Sequence, residues 1–473
     1  MLSTQPNPAL PDSYPTRSSF NGWVVILGFT LLMGLLMLGG AGSIVRLLFP
    51  AVATVAAFYL YLRFPILYLG FTWWIWFLTP WVRRYVDYRL GVYDDQPLIL
   101  LTPFLVTFIC AFTFLRYFPR VYRSDGLPFV LVIMAVTYSF LVGMVLNAPI
   151  TAVRAFLDWM TPVLFGFHLY ANWRDYPDYR QNTYRVFLWG VLLMGSYGIY
   201  QYMIAPEWDN FWIIGTELIT FGRPEPLEIR VFSTMNSPGP FATTIMAGLL
   251  LIFNDKGGLR FPAVGVGYLS FMLSLVRTAW LGWIVAFPAL ILSLRQKFQI
   301  RLFATILLVL LIVVPLTVTE PFASVISERV DTLVNIRRDQ SLQDRTAIYE
   351  RNLEIAFSNA LGMGSGGIYY ITPEGKPEKV VFDSAVLDMF FTLGWVGAIP
   401  YLGGMLLLIY TLLQSTGSPD PFVSSAIAIV IGVVAQFGFG SAMLGASGLI
   451  LWSFIGLGMA ARRYYWQLRN EQE

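Results

Sequence analysis

Long apolar runs recur along the whole chain, and they constrain its fold more than any other feature. A helix needs about 17–25 residues to cross a bilayer. About 14 runs reach that length, at residues 22–39, 43–62, 64–82, 97–115, 128–146, 153–171, 186–205, 236–254, 260–276, 278–294, 302–319, 392–413, 422–438 and 441–461. Backbone groups in lipid must find their hydrogen bonds within the protein, so such runs fold as helices. Because two or three borders are blurred, we predict an all-α polytopic integral membrane protein with about 12–14 transmembrane helices.

The composition agrees with a membrane protein and excludes several kinds of site. Charged residues make up 12% of the chain, whereas a soluble protein has about a quarter. The net charge of +3 does not predict nucleic-acid binding, because the lysines and arginines lie between the spans. The single cysteine, Cys110, and the single histidine, His168, both fall within apolar runs. Disulfides and cysteine or histidine metal clusters are therefore excluded, and we expect no metal and no cofactor.

Polar stretches divide the chain into segments. Residues 1–21 are polar and proline-rich and lack the pattern of a signal peptide, so we expect a disordered cytoplasmic lead. Residues 22–319 form the predicted helix bundle, which includes a loop at 206–235. Residues 320–391 are the largest stretch outside the membrane. Residues 392–473 contain the last transmembrane helices and a short tail.

The basic loops set the predicted orientation, because short cytoplasmic loops are enriched in lysine and arginine. Alternate loops are basic, at Arg116, Arg120 and Arg123, at Arg174, Arg180 and Arg185, at Lys256 and Arg260, at Arg295, Lys297 and Arg301, and at Arg462 and Arg463. This pattern places both termini in the cytoplasm and turns the loops 206–235 and 320–391 outward. The loop 83–96 is basic but outward, so it either serves a function or neutralises its own acids.

Three arginines at outward positions indicate a phosphate-bearing ligand. Arg277 lies between two apolar runs, and Arg230 precedes another. A guanidinium cannot shed its charge through a pKa shift, so each either extends to the interface or binds an anion. Arg345 lies in the large loop, on a predicted helix from about 342 to 360 that ends at Gly362. The chain has no P-loop and no dinucleotide-binding fingerprint, so the expected ligand is not a nucleotide.

The stretch VVFDSAVLDMFFTLGWVG, residues 380–397, carries two acids at the entrance of a span. A carboxylate within lipid is costly. The predicted orientation places Asp383 at the outer mouth of the span, where a polar substrate can reach it. Asp388 lies further along the helix and is expected to serve as a structural partner for an arginine.

Three stretches, in order, resemble the O-antigen ligase and polymerase superfamily of bacterial envelope glycan enzymes. They are RVFSTMNSPGPFATTIMAGLLL, LSLVRTAWLGWIVAF, and SLQDRTAIYERNLEIAFSNALGMGSGG followed by the acidic span entrance and GWVG. The resemblance covers roughly residues 185–440. It implies a multi-pass protein of the bacterial inner membrane that acts on glycans carried by undecaprenyl diphosphate, with the two largest loops in the periplasm.

The resemblance also implies roles for individual residues. Arg277 and Arg345 match the motif arginines of the family, which are expected to hold the diphosphate, and Arg230 is a weaker match. The ligases carry a His-Asn pair where this chain has Asp383 and Ser384. An aspartate can still activate a sugar hydroxyl, and this departure favours the polymerase or exopolysaccharide branch over the lipid-core ligases.

Aromatic residues on the outer side are candidates for sugar stacking. Trp208 and Trp212 lie in the loop 206–235, and Tyr349 lies on the predicted stripe of Arg345. The same tryptophans also fit an interfacial aromatic belt, and we leave both interpretations open.

The preferred hypothesis is a glycosyltransferase for O-antigen or exopolysaccharide assembly. Its expected partners are the undecaprenyl-diphosphate-linked glycan, the lipid bilayer and other polysaccharide assembly proteins, with no nucleic acid. Two alternatives stay open: a membrane transporter of a small anion such as bicarbonate, and a non-catalytic scaffold in polysaccharide assembly. Charges at span mouths, rather than paired at the midplane, favour surface chemistry over transport.

Overall fold

The fold is described from a computed structural model. It describes residues 20–95, 97–121, 126–253, 257–294, 299, 319, 353–367, 369–371, 377–379, 382, 384–415 and 420–471. Three of the predicted site residues, Arg345, Tyr349 and Asp383, lie outside these ranges.

Fifteen helices and one hairpin make up the named elements of these ranges. The helices are α1 Phe20–Leu38, α2 Gly42–Arg63, α3 Pro65–Leu90, α4 Thr102–Phe108, α5 Ala111–Val121, α6 Leu127–Leu146, α7 Pro149–Ala171, α8 Tyr176–Ile204, α9 Glu207–Thr216, α10 Pro238–Ile252, α11 Arg260–Leu273, α12 Arg277–Ser293, α13 Ala385–Leu413, α14 Pro421–Val434 and α15 Gly445–Asn470. The strands β1 Tyr369–Ile371 and β2 Pro377–Lys379 pair antiparallel. Short 3₁₀ turns precede α4 and α8 and follow α9. The hairpin was not predicted from the sequence.

Seven helices in the described part of the chain are long and apolar enough to cross a membrane, counting the 3₁₀ turn, α4 and α5 as one span over Leu98–Pro119. The predicted class, an all-α polytopic membrane protein, is confirmed. The predicted count of 12–14 spans stays a prediction, because the run 302–319 lies almost wholly outside the described residues. Helices α10, α12 and α14 are apolar but shorter. They pack against one another, and α10 is buried along almost its whole length.

Small residues let the longest helices pack closely. A Cβ atom on Gly166 of α7 would lie 2.3 Å from the carbonyl oxygen of Trp452 in α15. A Cβ atom on Gly456 of α15 would lie 2.2 Å from the carbonyl oxygen of Gly166. Close approach of this kind is how helices associate in lipid, where burial of apolar surface supplies little driving force. Glycine at these positions therefore sets the α7–α15 contact.

Connections gather at two ends of the bundle. At one end Arg84 contacts the loop after α9, Arg230 contacts the α11–α12 turn, and Ala385 contacts the α14–α15 connection. We call this the loop end, defined by Arg84, Arg230, Ser274, Ser384 and Phe437. At the opposite end, Asp420 before α14 accepts hydrogen bonds from residues of α8 and α15.

The prediction of a loop over residues 83–96 is wrong for residues 83–90, because α3 continues to Leu90. The helix ends at Gly91, which adopts the left-handed conformation with φ 64°. Arg83 and Asp87 are one turn apart and form a 2.7 Å ion pair, which stabilises the extra turns. Arg83 is therefore neutralised by an acid of its own stretch.

Helix α13 is broken at Gly394, within the GWVG motif. Gly394 has φ 61° and ψ −178°, a conformation that glycine adopts readily and other residues rarely adopt. In an unbroken helix, the carbonyl groups of Phe391 and Thr392 would accept hydrogen bonds from residues 395 and 396. The break therefore leaves these two carbonyl groups without helical donors inside the bundle.

The glycine-rich segment 360–367 supplies the missing partners. The N–H groups of Met363 and Gly364 donate to the carbonyl oxygens of Phe391 and Thr392, at 2.8 and 3.0 Å. In return, the N–H group of Val396 donates to the carbonyl oxygen of Ala360, at 3.2 Å. The segment therefore docks on the broken helix through reciprocal backbone bonds. Because the N–H groups of Met363 and Gly364 already have acceptors, they are not available to an anion.

Replacing Gly394 with alanine is expected to destabilise the protein strongly. The new Cβ atom would lie 2.2 Å from the backbone nitrogen of Gly362, and the backbone conformation alone disfavours alanine. We expect the free energy of unfolding to fall by about 2 kcal/mol or more, measured by denaturation in mixed micelles.

Gly403→Ala is the matched control in the same helix, since a Cβ atom there meets no atom within 4 Å. Alanine favours a helix over glycine by about 0.5–1 kcal/mol, so this variant should be as stable as the parent or slightly more stable. Equal losses in the two variants would contradict the docked break.

Candidate functional site

Arg277 is the first residue of α12 and lies at the loop end. The turn before it is tight: Leu275 has φ 54°, and Val276 is extended. The arginine is half-buried. Its position at a helix N-terminus adds a positive charge to the positive end of the helix dipole. An anion bound here would be stabilised by both, so the location suits a phosphate group.

Arg230 braces the turn that carries Arg277. Its guanidinium donates to the carbonyl oxygens of Thr220 at 3.0 Å, Leu275 at 3.2 Å and Ser274 at 3.4 Å. The N–H group of the next residue, Val231, donates to the carbonyl oxygen of Leu273 and so holds the same two segments together. These contacts assign Arg230 a positioning role, and its binding of a diphosphate stays a prediction.

A buried ion pair holds the loop that leads to Arg230 and α10. Arg84 and Asp209 are both fully buried and lie 2.7 Å apart. Arg84 also donates to the carbonyl oxygens of Ser233 and Met235, and Gln201 donates to Asp209 at 2.7 Å. We call Arg84, Asp209, Gln201, Ser233 and Met235 the Arg84 network.

The Arg84 network also fixes the loop through backbone donors. The side-chain oxygen of Gln201 accepts from the N–H groups of Phe232 at 3.0 Å and Ser233 at 2.8 Å. Ser233 adopts a left-handed conformation with φ 53°, which is unusual for serine and is held by these contacts. This network was not predicted from the sequence. The feature that could have indicated it is the position of Arg84 beside an apolar run, because a guanidinium at that depth needs a partner.

The two candidate tryptophans have different surroundings. Trp208 is half-buried, and its Nε1 donates to the hydroxyl of Tyr197 at 2.6 Å. Trp212 is only 3% exposed, packs edge-on against Phe221, and has Arg84 over its ring at 5.6 Å. Trp212 therefore contributes to packing around the Arg84 network. Trp208 is the more accessible ring for a sugar.

The entrance of α13 is anchored to the α14–α15 connection. Ser384 caps the helix, since its side chain accepts from the N–H group of Leu387, and it donates to the carbonyl oxygen of Phe437. The N–H group of Ala385 donates to the same carbonyl at 2.9 Å. Phe382 and Ser384, the neighbours of Asp383, are both buried. The position that matches the family histidine is therefore flanked by anchored backbone.

The same connection reaches the helix of Arg277. A Cβ atom on Gly282 of α12 would lie 2.5 Å from the carbonyl oxygen of Gly432 and 3.0 Å from Nε2 of Gln436. Gln436 also accepts a hydrogen bond from Thr243 of α10. Residues 432–440 therefore contact both α12 and the entrance of α13. The fold therefore brings Arg277 and the entrance of α13 at Ser384 to one end of the bundle, although they are about 100 residues apart in the sequence.

Asp388 has a threonine and a second acid as neighbours in the described part of the chain. Its Oδ1 accepts a hydrogen bond from Thr392 at 3.2 Å. It lies near enough to Asp158 of α7 for the two carboxylates to repel, while Arg154 attracts Asp158. The ion pairs found among the described residues do not include Asp388, so its predicted role as the partner of an arginine stays a prediction.

One protein family matches the chain, and its description is O-antigen ligase. The match covers residues 262–402, from α11 into α13. It includes Arg277, Arg345, Asp383 and the break at Gly394. No curated protein matches the chain.

The family match confirms the resemblance to the O-antigen ligase and polymerase superfamily. Together with the apolar helices, it supports a multi-pass membrane protein with an O-antigen ligase or polymerase type of function. The matched segment is the part of the chain that contains the strongest motifs.

The Arg84 network generates a stability prediction. Asp209→Asn would leave the Arg84 guanidinium buried without its counter-charge, which costs about 3–5 kcal/mol in comparable pairs. We expect the variant to lose most of its folded fraction in membranes, measured by detergent extraction and fluorescence size-exclusion chromatography.

Arg223→Ala is the matched control in the same loop. Arg223 is exposed and pairs with Glu228 at 3.5 Å, so its removal should leave the folded fraction unchanged. A folded fraction of Asp209→Asn as high as that of the control would show that the buried pair is not needed.

Proposed function

We propose that this chain is a glycosyltransferase of the O-antigen polymerase or ligase type. In this proposal it moves or extends a glycan carried on undecaprenyl diphosphate, for O-antigen or exopolysaccharide assembly. The loop end faces the periplasm, at the outer side of the bacterial inner membrane, and both termini lie in the cytoplasm. The observation that carries the proposal is the family match over residues 262–402, which contains all three principal site residues.

The position of Arg277 supports the binding of a lipid diphosphate. A transfer from this donor releases the diphosphate, so negative charge grows on its oxygens in the transition state. An arginine at the N-terminus of α12 lies where such charge is stabilised by the side chain and by the helix dipole. Arg345 is proposed to contribute the second guanidinium, and Arg230 to keep the turn of Arg277 in place.

Asp383 is the proposed base. It would accept the proton of the attacking sugar hydroxyl, which requires a separation of about 2.6–3.2 Å in the substrate complex. Ser384 and Ala385 are fixed to the carbonyl oxygen of Phe437, so the backbone next to Asp383 is held in place. Trp208 and Tyr349 are proposed to contact the sugar rings. The aspartate in place of a histidine favours the polymerase or exopolysaccharide branch.

The proposal predicts loss of long glycan chains when the site residues change. In a strain lacking the gene, Arg277→Ala should lower polymer formation by about 10²-fold or more, because the charge of the leaving diphosphate loses its partner. Asp383→Asn should lower it by about 10²–10⁴-fold, because the amide cannot accept the proton. The measurement is the chain-length distribution of the surface polysaccharide on a gel, at matched protein levels.

The exposed variant Arg223→Ala serves as control and should restore long chains fully. Unchanged glycan in the deletion strain would overturn the proposal. A defect in bicarbonate uptake with intact glycan would instead support the transporter. Loss of chains in the deletion strain that Arg277→Ala and Asp383→Asn both restore would indicate a scaffold.

A further inference from the structure

A groove outside the proposed active site runs between α2 and the segment that leads into α4. Its volume is about 480 Å³. Arg46 lies at the end nearest the loop end, Ala51 and Val55 line one wall, and Leu98 and Leu105 line the other. These apolar side chains are exposed on the outer surface of the bundle. Because α2 is a candidate membrane span, this surface faces lipid.

The groove has the direction and length of an acyl chain. From Arg46 to Val55, helix α2 rises about 13 Å at 1.5 Å per residue. That is a little under half of the hydrocarbon thickness of about 30 Å. The groove therefore spans much of one leaflet, with Arg46 near the headgroup level and Val55 toward the middle of the bilayer.

Polar groups at the mouth of the groove remain available to a headgroup. Nη2 of Arg46 donates to Oδ1 of Asp87 at 2.7 Å and to the carbonyl oxygen of Val92 at 2.9 Å. The side chain of Arg46 is nevertheless 24% exposed. Arg46 therefore presents a partly exposed cation at the mouth of the groove.

The charges around the mouth alternate in sign. Asp87 is shared between Arg46 and Arg83, with both ion pairs at 2.7 Å. The loop that Arg46 contacts through Val92 continues to Asp94 and Asp95, and Asp95 is exposed. Asp95 lies three positions after Val92, so their Cα atoms are at most about 11 Å apart. A headgroup with a phosphate beside a primary amine complements a cation followed by an acid.

We propose that this groove is a specific site for a phospholipid whose headgroup carries both a phosphate and a primary amine, of the phosphatidylethanolamine type. The acyl chain lies along α2 between Ala51 and Leu105. The phosphate accepts from the guanidinium of Arg46, and the ammonium group interacts with the carboxylate of Asp95. This site is independent of the glycan chemistry at the loop end.

The test is native mass spectrometry of the full-length protein in detergent with defined lipids. Palmitoyl-oleoyl phosphatidylethanolamine is compared with palmitoyl-oleoyl phosphatidylglycerol, which has the same chains and phosphate but no amine. The expected result is preferential retention of the ethanolamine lipid. Arg46→Ala should weaken retention of that lipid about tenfold, and Asp95→Asn should reduce the preference for it over phosphatidylglycerol.

Two tryptophan variants separate the groove from the general lipid surface. Ala51→Trp fills the exposed groove and should abolish preferential retention. Leu35→Trp, at an exposed position of α1, should leave it unchanged. Equal retention of the two lipids by the parent protein would overturn the proposal, as would unchanged retention in Ala51→Trp. Stronger retention of phosphatidylglycerol would overturn the headgroup assignment.

Discussion

Backbone groups inside a membrane must be hydrogen-bonded within the protein, and the break in α13 shows how this chain meets that requirement. Gly394 interrupts the helix and leaves the carbonyl groups of Phe391 and Thr392 without their helical donors. The segment 360–364 fills these positions and receives the N–H group of Val396 in exchange. The glycine-rich segment of the large loop is therefore fixed to the helix whose entrance carries the proposed base.

The docked segment also connects to the rest of the bundle. The N–H group of Ser365 donates to the carbonyl oxygen of Ser139 in α6, and Asn147 donates to the carbonyl oxygens of Met363 and Ser365. A Cβ atom on Gly364 would lie 2.3 Å from the backbone nitrogen of Gly143. The glycines of this segment thus permit a tight, ordered contact between a loop and a helix.

On the other side of the loop end, a buried ion pair also holds a loop in place. Arg84 uses one guanidinium to bind the carboxylate of Asp209 and two backbone carbonyls of the loop before α10. Through that loop it is linked to Arg230, which braces the turn before Arg277. Arg84, which the sequence places in a loop outside the spans, therefore begins a series of contacts that positions Arg277. Arg277 is the residue proposed to bind the diphosphate.

Hydropathy and the order of motifs along the chain were enough to predict the class of protein, the existence of long helices and the resemblance to the O-antigen ligase and polymerase superfamily. These follow from local features: apolar runs set helices in lipid, and ordered motifs identify a relative. The sequence also placed Arg277 at the edge of a span. The tertiary structure alone decided that α3 extends to Leu90, that Trp212 is buried, and that Arg84 pairs with Asp209. The burial of Trp212 and the pairing of Arg84 depend on partners far away in the sequence, and neither hydropathy nor spacing specifies which partner a charge or a broken helix will find.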